Sequence, residues 1–245
     1  SEVSTLKPCK KIWSILFYLR FRVQFKAFQF SEFIMSGVNI FAVIAAYLLG
    51  SLSFAVIVSR AMGMADPRSY GSGNPGATNV LRSGRKLAAA LTLLGDALKG
   101  FVAVWLALYL QNRLGISDVA IACVAVAVLV GHMWPIFFRF QGGKGVATAE
   151  GVLLALSWPV ALICALVWLV MAFGFKVSSL AALVATLLSP LLAHWLMDKP
   201  SWIAAVWLIA VLVLWRHKSN IQNLLAGEES NIGATHHTTD TDSQP

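Results

Sequence analysis

Val119-Ala120-Ile121-Ala122-Cys123-Val124-Ala125-Val126-Ala127-Val128-Leu129-Val130-Gly131-His132-Met133-Trp134-Pro135-Ile136-Phe137-Phe138 decides the fold. The stretch holds no acid, lysine or arginine. Wound as an α-helix at about 1.5 Å per residue it is about 30 Å long, the thickness of a bilayer's hydrocarbon core. Comparable apolar runs lie on both sides of it, at 39–59, 87–110, 178–197 and 202–215. Hydrophobic residues make up 58% of the chain and its mean hydropathy is +0.73. These features predict an all-α, polytopic integral membrane protein rather than one or two soluble cores.

Charge sets the expected topology. The chain carries 19 lysines and arginines against 11 acids, a net charge of +8. In a membrane protein such an excess belongs first to cytoplasmic loops facing anionic lipid, and second to anionic substrates. Without a soluble domain, nucleic acid is not an expected partner. Basic loops at 60–86 and 139–145 are two spans apart, so both can face the cytoplasm. Arg216-His217-Lys218 follows the last span and joins them, which puts Lys176 inside and Lys199 outside. An even number of crossings must then fit between Lys144 and Lys176. The sequence offers 146–157 and 159–175, broken at Trp158-Pro159, and the first is only about 18 Å as helix. Seven helical segments are expected, some short or broken, with the N-terminus outside and the C-terminus cytoplasmic.

The ends read differently from this body. Residues 1–34 mix Lys7, Lys10, Lys11, Arg20, Arg22 and Lys26 with aromatics, too densely charged for a span. They suggest a surface-lying basic helix or a non-native extension, with Met35 as the natural start. They lack the pattern of a signal peptide. Residues 35–229 are expected to form one membrane domain and 230–245 a disordered polar tail. Cys9, Cys123 and Cys164 have neither metal-ligand spacing nor the look of a disulfide framework.

Against this apolar background the polar stretches stand out. Gly71-Ser72-Gly73-Asn74-Pro75-Gly76-Ala77-Thr78-Asn79 has too much glycine and proline for a regular helix. It can turn several backbone N–H groups toward one anion. It nearly spells a nucleotide phosphate loop, but Ala77 stands where the lysine should be, which argues against a nucleoside triphosphatase. The stretch is a phosphate cradle or a tight inter-helix loop. Gly142-Gly143-Lys144-Gly145 opens the helix that starts near Val146, an arrangement suited to phosphate. Asp96 and Lys99, at i and i+3 within a span, can pair and should face the bundle interior or its mouth. They form a structural ion pair or a substrate contact. His132 reads as an interfacial packing residue. His217 sits among positive neighbours that favour its neutral form, suited to accepting a proton, or belongs to an ordinary juxtamembrane basic cluster. Three polar loops on one face suggest one site for a phosphorylated ligand. A transporter of an organophosphate is the alternative.

Gly50-Ser51-Leu52-Ser53, the run from Asp66 to Arg82, Asp96-Ala97-Leu98-Lys99-Gly100, Gly131-His132-Met133-Trp134-Pro135, Gly142 to Thr148, and Arg216-His217-Lys218-Ser219-Asn220-Ile221 together resemble the bacterial acyl-phosphate:glycerol-3-phosphate acyltransferases. The likeness extends from about Met35 to Glu229, with the motifs in the family's order. It implies transfer of an acyl group from acyl phosphate to the 1-hydroxyl of glycerol 3-phosphate. The products are lysophosphatidic acid and phosphate, in the first acylation of phospholipid synthesis at the bacterial inner membrane. Neither cofactor nor metal is expected. The enzyme that makes acyl phosphate is a candidate partner, and the surrounding lipid a second.

The resemblance and the residues themselves together suggest roles. Ser51, Arg60, Lys99, His217 and Asn220 are the expected catalytic set. Ser53, Gly71, Ser72, Gly73, Asn74, Gly76, Thr78, Asn79, Arg82, Gly142, Gly143, Lys144 and Gly145 are expected to bind substrate, and Asp96, His132 and Glu229 to hold structure. Lys218 and Asn223 depart from the family's pattern, which has arginine at the first and a basic residue at the second. Lys218 keeps the charge without the bidentate geometry. Acyl phosphate is already activated, so direct transfer is expected, with no acyl-serine at Ser51.

Overall fold

A computed structural model describes residues 36–232. All of the extension at 1–34 and residues 233–245 of the polar tail lie outside the described residues. Among the described residues the protein is helical, with no strand. The helices are α1 (Gly37–Gly50), α2 (Phe54–Ala61), α3 (Ala77–Leu81), α4 (Lys86–Leu114), α5 (Asp118–Met133), α6 (Val146–Leu156), α7 (Trp158–Phe175), α8 (Ser178–Leu196), α9 (Pro200–Arg216) and α10 (Lys218–Ala226), with a 3₁₀ turn at Ile136–Phe138. Four stretches are long and apolar enough to cross a membrane: Lys86–Leu114, Asp118–Phe138, Trp158–Phe175 and Ser178–Leu196. The number rises to six if the pairs α1–α2 and α9–α10, bent by 43° and 56°, each count as one span.

Every apolar run of the sequence is helical, but several boundaries move. The first run breaks at 51–53, where the Ser51 hydroxyl donates to the Tyr47 carbonyl at 2.9 Å. The Val119 run stops as α-helix at Met133, because Pro135 cannot supply the next backbone donor. The break before α7 falls at Ser157 rather than Trp158-Pro159, since proline is tolerated in a first helical turn. The glycine-rich stretch is helical from Ala77 on, with Gly76 as its N-cap. Residues 218–226, read as a polar loop element, form α10.

The spans approach one another closely at small residues. A Cβ on Gly100 of α4 would lie 2.2 Å from the Thr148 carbonyl oxygen, and one on Gly151 of α6 would lie 1.9 Å from that of Ala97. Backbones touch there, as small residues allow in membranes, where packing rather than water exclusion drives helix association. Val124, Val128, Leu129, Val152 and Val206 fill the core between α4, α5, α6 and α9.

Hydrogen bonds sort the connections to two ends of the bundle. At one end Arg68 Nη1 donates to the Phe138 carbonyl at 3.4 Å, Lys144 bonds Asn220, and the Ile232 N–H donates to the Lys176 carbonyl at 2.7 Å. At the other end the Ser117 N–H reaches Asn39 at 3.4 Å and Lys199 pairs with Asp118 at 2.6 Å. The loops at 60–86, 139–145 and 216–232 therefore share one end, as charge parity requires.

Replacing Gly151 with leucine should separate α4 from α6 and lower the thermal unfolding midpoint in detergent by roughly 3–10 °C. Gly174→Ala, where nothing lies within 4 Å of a new Cβ, should leave it unchanged.

Candidate active site

The first glycine-rich loop is fastened by its own side chains. Asp66 accepts from Arg68 Nε at 2.9 Å and Nη2 at 2.6 Å, and the same arginine reaches across to the Phe138 carbonyl. Asn79 Nδ2 donates to the Pro67 and Tyr70 carbonyls at 2.7 and 3.1 Å, while its Oδ1 accepts from the Ser72 N–H at 2.9 Å. The Asn79 amide is thus engaged by the loop itself. Gly71 has φ +57, and a Cβ there would sit 2.3 Å from Asn79 Oδ1, so only glycine fits beside this fastener. Ser72, Asn74, Gly76, Thr78 and Asn79 line a cavity, whereas Gly71 and Gly73 are exposed and not among its lining residues.

The second loop wedges against the first. The Gly143 N–H donates to the His132 carbonyl at 3.2 Å, and a Cβ on Gly143 would lie 2.3 Å from His132 Nε2 and 3.1 Å from the Pro75 carbonyl oxygen. Arg216 holds the loop from the far side, donating to the carbonyls of Gly142 at 2.8 Å and Gly143 at 3.2 Å. Gly145 caps α6 and lines the cavity with Lys144. Lys144 donates to Asn220 Oδ1, and Asn220 Nδ2 donates to Glu229 at 2.7 Å. The Ser179 hydroxyl gives the same Glu229 oxygen a second bond at 2.8 Å. Arg82 donates to Ser230 at 3.0 Å, so the chain stays tied down just past Glu229. Burial holds the Lys144 ammonium below its ordinary value, with Glu229 opposing the shift.

Behind the loops lies a buried polar cluster. Lys99 pairs with Asp96 at 2.8 Å and donates to the Leu52 carbonyl at 2.7 Å, inside the break between α1 and α2. His132 Nδ1 lies 3.5 Å from the same Asp96 oxygen. Asp96 and His132 line the cavity, and Lys99 sits one layer back. Ser51 is fully buried with its hydroxyl on Tyr47, and it accepts from the Ile136 N–H at 3.4 Å. Ser53 is buried as the N-cap of α2. Arg60 is exposed on α2 and is not among the lining residues.

His217 stands where α9 turns into α10. Its Nδ1 lies 2.8 Å from the Val213 carbonyl, which can only accept, so Nδ1 carries the proton and Nε2 is left as a bare acceptor. Burial pushes the imidazole down to about 4, and the Val213 contact opposes this while Lys144 adds to it. The ring is therefore neutral near pH 7.

The cavity encloses about 560 Å³ and has two parts. Its polar end gathers Ser72, Asn74, Thr78, Arg82, Lys144, His217, Asn220 and Glu229 from all three loops. Its apolar limb runs along Leu93, Leu94, Leu153, Cys164, Trp168 and Leu169. Leu93, Leu94 and Leu169 are about half exposed, so the limb opens sideways onto the lipid-facing surface. This shape suits a ligand with an anionic head and an apolar tail.

The glycerol-3-phosphate acyltransferase family model matches residues 40–227. The chain belongs to this family. A glycerol-3-phosphate acyltransferase from Neisseria meningitidis serogroup C (strain 053442) is 72% identical over 197 residues, covering 80% of this chain and 98% of that protein. One from Burkholderia multivorans is 62% identical, covering 78% and 90%. Two crystal structures of PlsY (YgiH), an integral membrane glycerol 3-phosphate acyltransferase, share the fold. The glycerol 3-phosphate form has TM-score 0.75 and 39% identity over 80% of this chain and 96% of that one. The lysophosphatidic acid form has 0.73 and 38%, over 80% and 95%.

Within this acyltransferase framework the structure adds residues that sequence reasoning gave no site role. Arg216, counted only as part of a basic stretch, pins the second glycine loop. Ser179 lies in the first turn of an otherwise apolar helix, where no local pattern marks it. For His217, a ¹⁵N-imidazole titration should show the Nδ1–H tautomer at pH 7 and protonation only near pH 4. A midpoint near 6.5 would refute the buried neutral ring.

Proposed function

We propose that this acyltransferase moves an acyl group from acyl phosphate to the 1-hydroxyl of glycerol 3-phosphate, releasing lysophosphatidic acid and inorganic phosphate. The observation that carries the reading is the two-part cavity, whose phosphate-suited end meets an apolar limb open to lipid. The chain crosses the bacterial inner membrane in seven helical segments, α1–α2 and α9 among them, with α6 and α7 as a short hairpin. Its N-terminus lies outside, and its C-terminus and polar loops face the cytoplasm.

The chemistry asks little beyond positioning and charge. The glycerol hydroxyl attacks the acyl carbonyl carbon, the bond from that carbon to the phosphate oxygen breaks, and phosphate leaves with the electron pair. His217 Nε2 takes the hydroxyl proton, its ring fixed by the Val213 carbonyl. Lys144 and Arg82 oppose the negative charge of the phosphates, and the backbone cradle from Ser72 to Thr78 shares that task. Asn220 and Glu229 fix the direction of Lys144. Ser51 and Lys99 act from behind, fastening the α1–α2 break that backs the site. Arg60 adds to the positive field at the mouth.

Purified protein given palmitoyl phosphate and labelled glycerol 3-phosphate should form labelled lysophosphatidic acid, and palmitoyl-CoA should not replace the donor. Uptake of label into sealed vesicles without product would favour the transporter instead. Lys144→Ala should raise the KM for glycerol 3-phosphate by about tenfold or more. His217→Ala should lower kcat by about 10²–10⁴-fold. A trapped acyl-Ser51 species would overturn direct transfer.

A further inference from the structure

The apolar limb contains a carboxyl group that the proposed chemistry does not use. Val146, Ala149, Glu150 and Leu153 line the cavity from α6, at i, i+3, i+4 and i+7, so Glu150 belongs to the cavity-facing stripe of that helix. Among the described residues, no hydrogen bond or ion pair engages its carboxyl group. The cavity wall that it shares includes Leu153 on its own helix, Leu93 and Leu94 on α4, Cys164 and Trp168 on α7, and Thr186 and Ser189 on α8. The other acids of the cavity are engaged elsewhere, Asp96 by Lys99 and Glu229 by Ser179 and Asn220. Glu150 is therefore a polar head set without a partner in the wall that an apolar tail would follow.

We propose that Glu150 is a specificity-determining residue that sets the selectivity for acyl-chain length; this rests on the acyl-phosphate reaction proposed above. α6 begins at Val146, and Glu150 stands one turn into it, about 6 Å along its axis. An extended chain advances roughly 1.2 Å per bond, as an extended backbone does, so an acyl chain that follows α6 from its first residue draws level with Glu150 after about five bonds. Shorter chains end before the carboxyl group and leave it uncovered. Longer chains cover it, and a polar group covered by hydrocarbon without a partner is disfavoured. The penalty falls on chain length alone and leaves the glycerol 3-phosphate end untouched.

The test compares acyl phosphates of 4 and 16 carbons with the unsubstituted chain, Glu150→Leu and Glu150→Gln. In Glu150→Leu the ratio of kcat/KM for the 16-carbon donor to that for the 4-carbon donor should rise by about fivefold or more. Glu150→Gln, still polar, should raise it less, and the KM for glycerol 3-phosphate should be unchanged in both. An unchanged donor ratio in Glu150→Leu, or a change that falls equally on both donors, would overturn the assignment while leaving the reaction standing. Absence of transfer by the unsubstituted chain with either donor would count against the reaction itself and remove this inference with it.

Discussion

Backbone rests on backbone where α4 crosses α6 and where α1 crosses α5, and the site depends on these two contacts. Gly100 and Gly151 let the first pair close on the carbonyls of Thr148 and Ala97. Gly131 does the same for the second, where a Cβ would lie 2.2 Å from the Tyr47 carbonyl oxygen. His132, next to Gly131 on α5, also meets Asp96 of α4, and the α1–α5 crossing places the helix break at Ser51 where Lys99 can reach the Leu52 carbonyl. The α4–α6 crossing puts the start of α6, and with it Lys144, beside the first glycine-rich loop. A lipid environment gives no hydrophobic reward for bringing helices together, so such fits carry the association.

The polar groups are arranged in depth. The ion pair of Asp96 and Lys99 lies behind the wall, where each charge has a partner and Lys99 also satisfies a carbonyl freed by the helix break. The cavity-facing layer consists of backbone loops and long side chains steadied by neighbours. Asn79 holds the first loop, Arg216 the second, and Glu229 holds Asn220, which in turn holds Lys144. Much of the polar sequence therefore shapes the site without facing its contents.

The helical membrane architecture was legible because span length and apolarity are local properties. The gathering of three loops at one end was legible from lysine and arginine placement, which encodes sidedness. The breaks at 51–53 and 134–135 were not, because they follow from particular contacts: Ser51 capping its own helix, and Pro135 lacking a donor. Asn79, expected to bind substrate, does line the cavity, but its amide is taken up by the backbone of its own loop, which no local pattern announces. Ser179 and Arg216 gain their positions only when α8 and α9 pack beside the loops, a long-range fact that no window of sequence contains. The placement of Lys99 behind the cavity depends likewise on the turn at Leu52.

The sideways opening of the limb at Leu93, Leu94 and Leu169 has a consequence for how the site is supplied and cleared. An amphiphile formed there is already at the level of the bilayer and can depart by lateral diffusion, without its tail crossing water. Occupancy by such a molecule then follows its mole fraction in the surrounding lipid, not its concentration in the bulk. Dilution of the suspension would leave that occupancy nearly unchanged, whereas adding fresh lipid would lower it.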